Sequence, residues 1–192
     1  FSLRAEGALG AGLYYLVHSS FVVAAIFMIA DLVRRGRGDE MRDLSHPVAS
    51  PAVRRVAGAM FLVAAVSVAG LPPLSGFVGK LALLQAVPAA DVAWVWTALL
   101  GSSLLVIVGL VRAGSNLFWR TPAPAVETAG LRPATTRPVE TAATVLLLAL
   151  GVALSLGAAP VVEYTRATAA QLMSPQDYVR QVRDTAPAWR NP

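Results

Sequence analysis

The sequence contains no cysteine, so neither disulfides nor thiolate metal ligands are available to it. Charge is also scarce: Asp, Glu, Lys and Arg make up only 14% of its 192 residues, against about 25% in a soluble globular domain. The common catalytic signatures are missing too. There is no Walker loop, HExxH, GxSxG or dinucleotide fingerprint. No cofactor or metal site is therefore expected.

What fills the chain instead is apolar bulk, 56% of all residues, gathered in long runs rather than alternating. Runs near 20 residues match a hydrocarbon core of about 30 Å at roughly 1.5 Å per helical residue. The expected fold is an all-α polytopic membrane helix bundle. A net charge of +5 raises nucleic acid as a partner. The arginines, however, sit between apolar runs and in the tail, without the aromatic-basic interleaving of a nucleic-acid surface. The lipid bilayer is the expected partner and nucleic acid is not. The chain opens on Phe1, with neither an initiator Met nor a basic-then-apolar leader, and reads as an internal start.

Four spans are expected within residues 1–160, at about 9–33, 56–87, 92–118 and 139–159, with residues 161–192 forming an amphipathic tail. In that tail Ser174-Pro175 reads as an N-cap and first helical position, opening a short helix through Tyr178 and Val182. The two long connections carry Arg34, Arg35, Arg37, Arg42, Arg54, Arg55, Arg120, Arg132 and Arg137, whereas Arg4 alone precedes the first span. The positive-inside rule places both connections in the cytoplasm and the Pro88–Asp91 turn outside. Asp31 and Arg34, like Arg112, Ser115 and Asn116, then mark the inner membrane boundary. His46 falls in a loop and receives no role. The small-residue spacing from Ala8 to Gly12 is a weak helix-packing signal.

The most informative stretch is VSVAGLPPLSGFVGKLALLQ, Val66 to Gln85. Gly70, Pro72, Pro73, Ser75 and Gly76 interrupt the second span near its middle, so one discontinuous transmembrane helix is expected. Proline lacks a backbone donor and its ring clashes one turn back, so the carbonyls of Val68 and Ala69 lose their helical partners. Such groups cost several kcal/mol in lipid unless protein or water satisfies them. The break should therefore line a cavity and offer free carbonyls to water. Lys80 follows two turns later, and an ammonium near mid-membrane costs about 2.5–3.5 kcal/mol on insertion scales. It reads either as a proton-exchanging group or as a structural lysine paired with a carboxylate on a helix missing from this sequence. In the first span His18, amid Tyr14, Tyr15, Ser19 and Ser20, is a candidate proton relay or a hydrogen-bonded packing residue.

Three segments carry a family likeness: LYYLVHSSFVVAAIFMIADLVRR (Leu13 to Arg35), AVSVAGLPPLSGFVGKLALLQA (Ala65 to Ala86) and ATAAQLMSPQDYV (Ala167 to Val179). They closely resemble the D-type subunit of Mrp/Pha-type multisubunit monovalent cation/proton antiporters. The superfamily also holds the antiporter-like, proton-pumping subunits of respiratory complex I. The resemblance implies a longer subunit built from inverted repeats, each with a broken helix bearing an ionisable group. It implies multi-pass insertion in a bacterial plasma (inner) membrane, other antiporter subunits as partners, and exchange of H⁺ for Na⁺ or K⁺. Lys80 matches the lysine of the second repeat's broken helix, and His18 a histidine of the central polar axis. Many relatives have a further lysine shortly after that histidine, where this chain has Val22 and Val23.

Overall fold

The computed structural model describes residues 6–37, 51–119, 138–174 and 176–185. Arg4, His46, Arg120, Arg132, Arg137 and Pro175, with the roles expected of them, lie outside the described residues. Within them every regular element is a helix: α1 (Glu6–Arg37), α2 (Pro51–Ala69), α3 (Ser75–Gln85), α4 (Val92–Gly114), α5 (Pro138–Leu156), α6 (Ala158–Met173) and α7 (Gln176–Asp184).

Among the described residues three helical segments are long and apolar enough to cross a membrane. They are Glu6–Arg34, Ala89–Phe118 and Pro138–Leu156, with mean hydropathies of 2.1, 2.1 and 2.0. The second span expected from sequence is split: α2 ends at Ala69 and α3 begins at Ser75. Ser75 and Gly76 thus open the second half-helix, and the non-helical part is confined to residues 70–74. At the far end α3 stops at Gln85, short of the expected boundary.

Apolar packing concentrates at one end of the bundle. Val22, Ile29 and Val33 of α1 meet Ala57, Phe61 and Ala64 of α2, with Phe118 and Leu148 closing the cluster. Phe118 lies on a π-helical turn, Ser115–Trp119, that continues α4, and its ring sits 5.3 Å from that of Phe61. There Arg34 donates to Asp31 at 3.2 Å. At the other end Trp94 donates its indole N–H to Asp91 at 3.0 Å, an aromatic placed as at a membrane interface. The polar residues of interest lie between these ends.

Residues 161–173, expected to belong to the amphipathic tail, form most of α6, which packs on α1 more extensively than any other helix pair among the described residues. A Cβ on Gly10 would lie 3.0 Å from the Arg166 Cα, so glycine is what lets these backbones approach. Ala8 is buried, but a Cβ on Gly12 would meet nothing within 4 Å. The close seam therefore runs through Gly10 rather than along the Ala8–Gly12 spacing. Ser174 closes α6 as its C-cap, and α7 follows at Gln176–Asp184.

Candidate functional site

The break is assembled from four backbone carbonyls at the end of α2. Gly70 adopts φ +74°, a left-handed conformation that side chains resist. Its amide donates to the Ser67 carbonyl at 3.2 Å, and the Leu71 amide to Val66 at 3.1 Å. That pair of bonds is a Schellman cap, and it satisfies two of the four terminal carbonyls. The remaining two, Val68 and Ala69, are those that Pro72 and Pro73 cannot serve.

Lys80 takes both. From one face of α3 its Nζ reaches back to donate to Ala69 O at 2.8 Å and Val68 O at 3.2 Å. Its third proton goes to Ser103 Oγ of α4 at 2.9 Å. An ammonium has three donors, and here all three have acceptors. The negative end of the α2 dipole faces the same charge, which favours a cation. The two carbonyls are therefore not left for water, contrary to the expectation from sequence. The nearest side chain of the protein itself fills the gap that the prolines open. Among the described residues no carboxylate binds Lys80; its partners are neutral oxygens.

Space for this contact depends on glycine. A Cβ on Gly70 would stand 2.6 Å from the Lys80 Cδ. One on Gly76 would run into the Ser67 carbonyl and come within 3.0 Å of His18 Nε2. The buried face of α3, Ser75, Gly76, Gly79 and Ala82, is made of small residues and admits α1 closely.

His18 occupies that contact. It is almost wholly buried, and its Nδ1 lies 2.8 Å from Ser75 Oγ, which is itself fully buried. Ser75 thus joins the first turn of α3 to α1. The hydrogen bonds of His18 and those of Lys80 share no atom. Tyr15 is near both groups: its ring centroid is 5.3 Å from that of His18, and it lines a cavity of about 440 Å³ together with Lys80, Ser102 and Ser103. A second cavity, about 280 Å³, is also lined by Lys80 and Ser103. Water requires only about 10–15 Å³ of such space and two to four polar partners.

The structure thus brings Gly70, Pro72, Pro73 and Lys80 together at the break, with His18, Ser75 and Gly76 one turn away against α1. Sequence reasoning missed Ser103, although GSS (residues 101–103) is a polar interruption of an otherwise apolar span. Arg112, Ser115 and Asn116 line neither cavity.

An all-α bundle with a discontinuous, lysine-bearing helix defines a polytopic membrane protein. The chain belongs to the NADH:quinone oxidoreductase/Mrp antiporter transmembrane family, whose model matches residues 2–106. It is 31% identical to a probable D-type subunit of a K⁺/H⁺ antiporter from Rhizobium meliloti, over 92% of this chain and 37% of that protein. To the D-type subunit of a Na⁺/H⁺ antiporter from Bacillus subtilis it is 32% identical, over 94% of this chain and 36% of that one. The chain thus spans little more than a third of either relative's length. Its fold matches a chain of the Mrp complex from Dietzia sp. with a TM-score of 0.64 at 23% identity, covering 90% of this chain and 39% of that chain.

Proposed function

We propose that this chain is part of a membrane subunit of a secondary cation/proton antiporter, a transporter rather than an enzyme in its own right. Lys80 is the proton carrier of the path, and His18 is a secondary relay. The subunit works with other antiporter subunits in a bacterial plasma membrane and exchanges H⁺ for Na⁺ or K⁺. Residues 9–33, 56–87, 92–118 and 139–159 make four crossings, with the long basic connections in the cytoplasm and the C-terminal tail off the span.

The observation that carries this reading is the setting of Lys80. An amine held at a helix break by three neutral oxygens, beside a cavity, has no carboxylate among the described residues to fix its charge permanently. Such a group can release its proton to water and regain it, which a guanidinium cannot. Intramembrane ionisable residues of this kind mark ion paths. Both named relatives are D-type antiporter subunits matched over 92% and 94% of this chain, which favours antiport over the related role in an NADH:quinone oxidoreductase-type complex.

The test is ion-dependent pH change in vesicles carrying the complete complex. Lys80→Ala should abolish Na⁺- or K⁺-driven proton exchange at wild-type subunit levels. Normal exchange by Lys80→Ala would reduce Lys80 to a structural residue.

A further inference from the structure

We infer that the Ser103 hydroxyl is the reversible partner of Lys80, the group that keeps Nζ fully hydrogen-bonded in both protonation states. The inference rests on Lys80 being the proton carrier and adds a positioning residue to that role. Of the three oxygens around Nζ, two are backbone carbonyls, which can only accept. Ser103 alone can also donate. In the structure its hydroxyl accepts from Nζ at 2.9 Å and donates to Leu99 O at 2.7 Å.

When the ammonium loses a proton to water in the adjoining cavity, Nζ keeps two N–H bonds and gains one lone pair. The two N–H bonds remain on Val68 and Ala69. The Ser103 O–H turns from Leu99 to the lone pair, and no proton leaves the serine. Leu99 O loses little, because within α4 it still accepts from the Ser103 amide. Both states of the amine are then fully paired. Without the hydroxyl, the ammonium lacks its third acceptor and the neutral amine lacks its donor. Ammonium hydrogen bonds are the stronger of the two, so the charged state loses more.

Other groups facing Lys80 do not duplicate this role. α1 presents Tyr15, whose hydroxyl makes no hydrogen bond to Nζ, and His18, which is engaged with Ser75. α2 presents only backbone and Val68, and Ser102 of α4 donates to its own helix at Leu99 O.

The experiment compares Ser103→Thr with Ser103→Val in the assembled complex, since these side chains share a shape and differ in the hydroxyl. Exchange is measured across pH in membrane vesicles, with subunit levels and Lys80→Ala as controls. Ser103→Thr should keep the wild-type rate and pH profile. Ser103→Val should lose about tenfold in exchange, the size of one charge-assisted hydrogen bond, and reach half-maximal exchange about one pH unit lower. Equal behaviour of the two variants, whether both active or both inactive, would overturn the role of the hydroxyl. A uniform loss in Ser103→Val with an unshifted profile would also overturn it, leaving a structural contact. Normal exchange by Lys80→Ala would instead sink the proton-carrier reading itself.

Discussion

The Nζ of Lys80 lies 2.8 Å from the carbonyl oxygen of Ala69, whose helical partner Pro73 cannot supply. Val68 stands in the same relation to Pro72, and Nζ lies 3.2 Å from its carbonyl oxygen. The side chain that follows the break by two turns therefore also closes it. Burying a charge and leaving carbonyls unpaired are each costly in lipid, and placing one against the other offsets both. Lys80 consequently has two separable jobs, as a staple of the break and as a candidate carrier of protons.

Gly70→Ala should weaken the break. The residue has φ +74°, and its Cβ would press on the Lys80 side chain at 2.6 Å. A non-glycine residue held in that region costs about 1–3 kcal/mol. Thermal unfolding of the purified complex should show the loss, together with reduced exchange. Gly12→Ala, where a Cβ meets nothing within 4 Å, should leave both unchanged.

Ser75→Ala should cost roughly 1–3 kcal/mol, because the buried His18 imidazole keeps a nitrogen with no partner. Ser75→Thr retains a hydroxyl and should cost less. His18→Ala should lower exchange by roughly tenfold, less than the ~10²-fold or more typical of a lost acid–base group, if water in the Tyr15 cavity bridges to Lys80. Vesicle assays of the three variants, with unfolding measured in parallel, check both effects. Complete loss of exchange in His18→Ala would make His18 an obligatory carrier.

Much of the break was legible in the sequence, because proline chemistry is local. Two prolines after Gly70 identify which carbonyls lose their partners, and nothing distant can restore those donors. What filled the gap was not legible. Lys80 is 11 residues from Ala69 along the chain and Ser103 is 23 from Lys80, so both contacts depend on how α3 and α4 pack. His18 and Ser75 are 57 apart, and their pairing is likewise a product of packing. The helix α6 was missed for a different reason. Glu163, Arg166, Thr165 and Thr168 dilute its apolar signal, while its contact with α1 relies on glycine and alanine, which carry little hydrophobic pattern.

Gly10→Leu should separate α1 from α6, since its Cβ meets the Arg166 backbone, at 3.0 Å from Cα and 3.3 Å from N, as well as the start of its side chain. The expected outcome is a fall in subunit level in membranes, read by immunoblot. Gly101→Leu, at a position of α4 where a Cβ meets nothing within 4 Å, should leave the level unchanged.

The proton-carrier role of Lys80 is tested most directly by Lys80→Arg in the complete complex, assayed for Na⁺- or K⁺-dependent proton exchange in membrane vesicles. Arginine keeps a positive charge and several donors for Val68, Ala69 and Ser103, but it does not give up its proton. The expected result is wild-type subunit level with exchange abolished, a staple retained and a carrier lost. Exchange at the wild-type rate in Lys80→Arg would contradict it, and would show that the charge at the break holds the helix but carries no proton.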